Sequence, residues 1–477
     1  KLLGGLGGEA VRWQQTVDQL NIDQVNVVGD VLVAAATISY LGPFMQSYRE
    51  QMEAEWSENL TDVKIPHTPK VNIKGTLMDP VLVRQWNIEG LPSDDFSVSN
   101  GIIMENSSRW PLMIDPQNQA NKWIKKKEEP NRIVVLKATA STTIMQRSLE
   151  NCIQFGRPLL VEGVGETMDP MLEPVLANAT FKTSTGEVVI KLGDQTIPFH
   201  EDFKFYMTTI LPNPHYYPEV SVKVTLLMFA ITPGGLEEQL LNATVEEERE
   251  DLAELKVRLI TENAANAKKI KDIEDKILQL LAQSKGDILD DEVLIETLAV
   301  AKHTSNEIEE AVKEAQKTEQ EIDATRELYR PVAFRGSIIF FAIDALSVVD
   351  PMYQYSLGWF SLLFRNAFGT AKTSDNLQER LGFLMDTFLI SIYENVCRSL
   401  FVKDKLMFAF NLCIAIRQGA NLIDPTEWRF LLTGATKSLE ASKPDVPWLT
   451  GGSWQELQNM VEVPVFNGFL EEFTGNL

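Results

Sequence analysis

A phosphate-binding loop forms where a buried strand turns into a helix, and residues 110–124 have that pattern. The loop template, Gly-x-x-x-x-Gly-Lys-[Ser/Thr], needs glycines so that the backbone can approach phosphate, and a lysine to neutralise it. On that template the two glycines and the lysine and hydroxyl residues are replaced by Asp115, Ala120, Asn121 and Lys122. An aspartate directs negative charge at an anion. The stretch therefore predicts a nucleotide-binding scaffold that has lost its nucleotide chemistry.

A hydrolytic site also needs an aspartate that orients magnesium and a glutamate that activates water, after its third strand. Here the apolar run 159–161 is followed by Glu162 and Gly163. Glu162 could hold a metal in principle, but glycine cannot activate water. Thr208 and Thr209 end the fourth predicted strand, where a polar residue commonly senses the γ-phosphate, although threonines also simply suit strands. The replaced loop residues and the missing water-activating glutamate are independent departures from a hydrolytic site. Both indicate that this segment does not hydrolyse ATP.

Composition limits the function classes. The chain has 477 residues, of which 44% are hydrophobic and 23% charged, and a formal net charge of −23. This length predicts two or more domains with ample core. The acidic balance argues against direct binding to nucleic acid or to an anionic membrane. It leaves open a basic partner or simple solubility.

The cysteines and histidines indicate no disulfide framework and no metal site. Cys152, Cys397 and Cys413 lie in apolar helical text, which favours a reducing compartment. No histidine has a partner at metal-ligand spacing. We expect no secretory signal and no apolar run long enough to span a bilayer. The chain begins at Lys1 rather than at methionine, which indicates a piece of a longer polypeptide.

The elements that position the loop alternate between strands and helices. Strands are predicted at 111–115, 133–137, 157–162, 203–209 and 222–231, helices at 118–127 and 142–155, and a hairpin at 187–199. Such alternation predicts a mostly parallel sheet covered on both faces. The preceding text is helical at 11–56, and 59–95 is expected to be a loop because it holds four prolines.

Residues 236–330 have a different composition, which lacks proline and is rich in Glu, Lys, Ala, Asp and Leu. Apolar residues recur there at heptad spacing, in two series separated by a break at 285–287: Leu252, Leu259, Ile273 and Leu280, then Leu294, Leu298, Ile308 and Ile322. This pattern predicts an antiparallel coiled-coil hairpin with arms tens of ångströms long. The text after residue 330 is helical and rich in aromatic residues.

Several longer motifs, in this order, resemble dynein heavy chains over essentially the whole sequence. They are the runs at 2–9 (LLGGLGGE), 85–92 (QWNIEGLP), 110–116 (WPLMIDP), 213–216 (NPHY), 350–357 (DPMYQYSL) and 395–401 (NVCRSLF). The sequences of these motifs resemble those of axonemal rather than cytoplasmic dynein heavy chains.

The resemblance implies an α/β plus α fold. Residues 1–58 are like the end of the stalk helix at its entry to the motor ring. Residues 59–235 are like a degenerate AAA+ large subdomain, a three-layer αβα unit of the ring's fifth module. Residues 236–330 are like the coiled-coil buttress hairpin, and 331–477 like the helical small subdomain and linker. The family loop usually reads Asp-Pro-x-Gly-Gln-Ala, and Asn118 replaces that glycine, which weakens any anion contact by the loop backbone.

The function implied is that of a non-hydrolysing module of a microtubule motor, which relays ATP-driven ring movements to the stalk through the hairpin, especially its 283–291 end. No cofactor or metal is expected here; ATP and magnesium belong to other modules of the parent motor ATPase. The implied partners are the motor ring and stalk, axonemal dynein subunits and, through the parent chain, the microtubule. The implied location is the cytoplasmic cytoskeleton of a ciliary or flagellar axoneme. Two alternatives remain: a nucleotide-binding AAA+ ATPase module, and a coiled-coil scaffold protein.

Overall fold

The computed structural model describes residues 2–184, 186–193, 195–283, 292–434, 443–460, 463–466 and 468–476. The chain divides into two compact units, Lys1–Arg330 and Pro331–Leu477. The first unit contains the sheets and three helices of 34 to 36 residues, and the second unit is helical.

The first unit is built around five parallel strands in the order β2-β3-β7-β1-β8, which confirms the predicted parallel sheet. The strands of both sheets are β1 (Trp110–Ile114), β2 (Val134–Lys137), β3 (Leu159–Glu162), β4 (Thr180–Lys182), β5 (Val188–Leu192), β6 (Gln195–Pro198), β7 (Phe205–Thr209) and β8 (Val224–Met228). Strands β4, β5 and β6 form a separate antiparallel sheet, in which β5 and β6 are the predicted hairpin and β4 was not predicted.

Helices cover both faces of the parallel sheet. Successive side chains of a strand point to opposite faces, so the apolar strands of this sheet form a core on each side. Leu112 and Leu159 join a core that includes residues of the helix at 142–155. Met113 and Leu160 join the core on the other face, with Trp123 of the helix that follows β1. The helix after β1 is thereby fixed to the sheet by apolar packing, and it holds the loop that precedes it in place.

The helices before and within the sheet are α1 (Leu2–Ala36), α2 (Gln46–Asp62), α3 (Ile73–Leu77), α4 (Pro80–Ile88), α5 (Asp95–Asn106), α6 (Gln119–Lys127), α7 (Thr142–Phe155), α8 (Glu173–Leu176) and α9 (Pro218–Ser221). The expectation of a loop at 59–95 is therefore wrong. Asn72 and Asp79 cap α3 and α4 by accepting backbone N–H groups, and Pro80 occupies the first turn of α4. Proline is favourable there because the first N–H groups of a helix have no partner within it.

Three helices follow the sheet: α10 (Pro233–Glu248), α11 (Glu250–Gln283) and α12 (Glu292–Glu327). Helices α11 and α12 pack against each other. The ammonium of Lys256, near the start of α11, lies 2.7 Å from a carboxylate oxygen of Asp323, near the end of α12. The helices therefore run in opposite directions along this part of their length.

The predicted apolar seam residues are only partly described. Ile308 and Ile322 are buried, with 7% and 3% of their surface exposed, and Leu252 and Leu259 are half-buried. The side chains of Ile273, Leu280, Leu294 and Leu298 lie outside the described part of the chain, as does the predicted hairpin end beyond Gln283, at 284–291.

The second unit contains α13 (Arg330–Asp344), except for its first residue, which belongs to the first unit. Its other helices are α14 (Leu346–Val349), α15 (Leu357–Thr370), α16 (Leu377–Ser399), α17 (Val402–Gly419), α18 (Pro425–Thr433), α19 (Gly451–Asn459) and α20 (Phe469–Gly475). Its core includes edge-to-face contacts of Phe360 and Phe364 with Phe388.

Two helical stretches, Gln14–Leu41 and Arg330–Val349, are long and apolar enough to cross a membrane by length and composition alone. The expectation that no apolar run reaches this length is therefore wrong. The core helices of soluble proteins can have the same length and composition.

Candidate functional site: the degenerate phosphate loop

The loop at 115–118 connects the predicted strand to the helix that follows it. Strand β1 ends at Ile114, and α6 begins at Gln119. Asn118 adopts the left-handed conformation, with a φ of 57°. Asparagine tolerates this region better than most residues with a Cβ, so the turn forms here without a glycine.

The Asp115 side chain folds back onto the start of α6. It is 1% exposed. One carboxylate oxygen accepts the backbone N–H of Gln119 at 2.7 Å, and the other accepts the N–H of Asn121 at 2.9 Å. Backbone N–H groups at a helix N-terminus are the groups that bind phosphate in nucleotide sites. The Asp115 carboxylate thus accepts two of the N–H groups at the start of α6.

The ionisation of Asp115 reflects this position. Burial raises the pKa of its carboxyl from 3.8 to about 6, although hydrogen bonds from three backbone N–H groups and the charge of exposed Lys122 act in the opposite direction. Because the pKa is higher in the folded than in the unfolded chain, the stability that this group contributes is present below the unfolded pKa and is lost as pH rises through the folded pKa.

We expect a pH dependence that the variant Asp115→Asn lacks. Between about pH 5 and pH 7, the wild-type protein should lose about 1 kcal/mol more of its free energy of unfolding than the variant does. Urea unfolding of both proteins at the two pH values measures the difference. Parallel pH profiles would show that the carboxyl of Asp115 titrates as an exposed group does.

Asn121, at the lysine position of the loop template, is hydrogen-bonded to Glu162, which follows the third predicted strand. The Asn121 side-chain amide donates to a carboxylate oxygen of Glu162 at 2.7 Å and to the Thr208 hydroxyl at 3.5 Å. The Lys125 ammonium lies 2.6 Å from the same Glu162 oxygen. Partial burial acts to raise the pKa of Glu162, but the bonds from Lys125 and Asn121 outweigh it and hold the pKa below its ordinary value. A magnesium ion at Glu162 would have to displace these donors.

The other predicted site positions supply no catalytic group. Ala120 is fully buried in the core, and Gly163 has a φ of 69° with no side chain to activate water. Among the described residues, no group of three or more His, Cys, Asp or Glu side chains could hold a metal ion. The sequence analysis did not predict the role of Lys125. Its position one helical turn after Asn121 could have indicated that it lies on the same side of α6.

A charged cluster at the base of α11 and α12 was also not predicted. Arg326, near the end of α12, pairs with Glu238 of α10 at 2.5 Å. Arg330 pairs with Glu237 at 2.5 Å and with Glu238 at 2.7 Å. Burial acts to raise the pKa of Glu238, but the two arginines lower it below its ordinary value. The cluster ties the end of α12 to the helix that follows β8.

The order of the five parallel strands, with helices on both faces, is consistent with the AAA+ fold. Two family profiles match the sequence and together cover more than half of it: "ATP-binding dynein motor region" over residues 84–308, and "Microtubule-binding stalk of dynein motor" over residues 1–60. The chain belongs to the dynein heavy chain family.

Individual relatives agree with this assignment. The chain is 47% identical over 477 residues to dynein axonemal heavy chain 1 of Homo sapiens, and 46% identical over 478 residues to dynein axonemal heavy chain 3 of Mus musculus. It is 40% identical over 482 residues to the dynein-1-beta heavy chain of the flagellar inner arm I1 complex of Chlamydomonas reinhardtii. Each alignment covers 100% of this chain but only 11% or 12% of the relative. The chain thus spans about a tenth of the length of these relatives.

Proposed function

We propose that this part of the chain is a non-hydrolysing AAA+ module of an axonemal dynein motor, and that it relays movements of the motor ring to the stalk. The absence of hydrolysis is proposed because of the Asp115 carboxylate. It is buried, and it accepts hydrogen bonds from the backbone N–H groups of Gln119 and Asn121. A second anion on the same donors would meet a negative charge at close range in a poorly solvated site.

The proposal places the energy source outside this segment. ATP and magnesium would act at other modules of the parent chain, and the microtubule would be bound by the parent chain's stalk. The relatives carry axonemal and flagellar names, so the proposed location is the axoneme of a cilium or flagellum, among the other dynein subunits.

The relay would run through α11 and α12 as a buttress. The proposed parts are the stalk helix end at 1–58, the large subdomain at 59–235, the buttress at 236–330 and the helical small subdomain at 331–477. Two contacts support the relay. The base of α12 is tied through Arg326 to α10, and Cα atoms of α12 come within 8 Å of Cα atoms of α1. A rigid-body movement of the module would thereby push α12 against the stalk helix.

We expect the double variant Ile308→Ser, Ile322→Ser to uncouple the whole motor. Both side chains are buried on α12, and polar replacements there weaken the packing that transmits a push. The ratio of microtubule affinities between nucleotide states should fall by about tenfold, since coupling between sites is worth about 1–3 kcal/mol. Microtubule co-sedimentation at saturating ATP and without nucleotide measures the ratio.

The control is Lys317→Ser, an exposed position on the same helix. It should leave the affinity ratio unchanged. A double variant that couples as well as this control would refute the relay.

A further inference from the structure

The root of α1 differs from the part of the helix that precedes it. Upstream apolar side chains such as Leu20 and Val28 are more than half exposed. From Val33 onward the inward-facing residues are buried, and Thr37 and Leu41 are 0% and 2% exposed. The helix ends in a π-helical turn, Thr37–Leu41. The surrounding protein therefore begins to enclose the helix about two turns before its end.

Polar contacts first hold this root against the segment after α2. The Asp30 carboxylate accepts both the backbone N–H and the hydroxyl of Thr68, each at 2.7 Å. The Thr37 hydroxyl donates to a carboxylate oxygen of Glu53 at 3.1 Å. These bonds connect two successive levels of the root to α2 and to the chain beyond it.

Arg49 makes the next connection from the interior. It is 4% exposed, and it lies over the ring of Phe96 at 4.5 Å from the ring centre. Its guanidinium donates to the carbonyl of Gly42 at 2.7 Å, to the carbonyl of Phe44 at 2.9 Å, and to the side-chain oxygen of Asn100 at 2.8 Å. A buried guanidinium that binds two carbonyls just past the π-helical turn fixes the direction in which the chain leaves the stalk helix.

Asn100 and Gly42 carry the connection to the sheet. The Asn100 amide donates to the carbonyl of Met228 at 2.7 Å, and the N–H of Met228 donates to the carbonyl of Gly42 at 3.0 Å. A Cβ on Gly42 would lie 2.2 Å from the carbonyl oxygen of Leu226, so only glycine allows this approach. The end of the stalk helix is thus bonded directly to β8, the neighbour of β1.

We infer that Gly42, Arg49 and Asn100 form a clamp that holds the root of the returning stalk helix at a fixed position on β8. The inference rests on the proposed function. When α11 and α12 push on α1, the clamped root keeps its position. The part of α1 before Val33 then moves instead, together with the stalk helix that pairs with it. The three are positioning residues, which act through the helix they hold.

The clamp itself is tested by hydrogen exchange on this chain with the variant Arg49→Met, which keeps the apolar contact with Phe96 but removes the donors. Loss of a buried charged donor should speed exchange of the Thr37–Leu41 amides by about 100-fold, with β1 and β7 unchanged. The matched control is Arg380→Met in the second unit. Arg380 is also buried and donates to three backbone carbonyls, and its loss should leave Thr37–Leu41 unchanged. Wild-type exchange of Thr37–Leu41 in Arg49→Met would overturn the clamp.

The positioning role is tested in the whole motor. Arg49→Met should lower the ratio of microtubule affinities between nucleotide states by about fivefold or more, with ATP turnover in the absence of microtubules unchanged and with Arg380→Met normal. Gly42→Ala should do the same by steric separation from β8, without loss of a buried charge. Its control is Gly358→Ala, at a position where a Cβ meets nothing within 4 Å.

The outcomes separate this inference from the proposed function. Faster exchange with a normal affinity ratio in both variants would overturn the positioning role, whatever the Ile308 and Ile322 variant does. A lowered ratio in Arg49→Met and Gly42→Ala supports the clamp even if the Ile308 and Ile322 variant couples normally, in which case the buttress role alone fails.

Discussion

Replacing Asp115 with alanine is expected to lower the free energy of unfolding of the first unit by about 3 kcal/mol. The substitution removes the acceptor of two backbone N–H groups, on Gln119 and Asn121, in a site that water cannot easily reach because Asp115 is 1% exposed. Loss of an exposed helix cap costs about 1 kcal/mol, and a buried donor left without a partner adds its desolvation penalty. Urea unfolding followed by tryptophan fluorescence measures the loss.

A matched control lies in the same unit. Asp79 caps α4 by accepting the N–H of Val81 at 2.8 Å, but the bond is exposed to solvent. Asp79→Ala should therefore cost about 1 kcal/mol or less. If Asp115→Ala costs no more than Asp79→Ala, the carboxylate does not stabilise the loop from within, and the idea that it takes the place of an anion fails.

Much of the sheet could be predicted because local patterns determine it. The strands are short apolar runs bounded by turn signals, and their alternation with helices specifies a parallel sheet. A loop was wrongly expected at 59–95 because the prolines were counted without regard to their positions. Asp79 directly before Pro80 is the pattern of a capped helix start, and the structure has α4 there.

The residues of the candidate site could be named from the sequence, but their contacts could not. The template showed that Asp115 and Asn121 replace a glycine and a lysine; it did not show that the aspartate turns back onto its own helix. Glu162 is 41 residues from Asn121, and Arg49 is 51 residues from Asn100. Such pairings depend on how the sheet and helices pack, which no local pattern encodes.

The second large effect concerns nucleotide affinity. The Asp115 carboxylate already occupies the loop donors, and Glu162 is bound by Asn121 and Lys125. Binding a triphosphate would require expelling a buried carboxylate and bringing like charges together, while the loop lysine that neutralises phosphate is absent. We expect this chain to bind magnesium–ATP with a dissociation constant weaker than about 1 mM, at least a thousandfold weaker than a micromolar nucleotide site.

A double variant tests the cause of this weakness. Asp115→Gly with Asn121→Lys removes the internal anion and restores the lysine of the template. Its affinity for magnesium–ATP should exceed that of the wild-type chain by at least about tenfold, which corresponds to about 1.4 kcal/mol. Equal affinities would show that features other than the Asp115 carboxylate and the missing lysine close the site.

Isothermal titration of the wild-type 477-residue chain with magnesium–ATP is the most direct test of the proposal that the Asp115 carboxylate takes the place of phosphate in this module. The account predicts no saturable heat up to about 1 mM nucleotide. Saturable binding at micromolar concentration would contradict it.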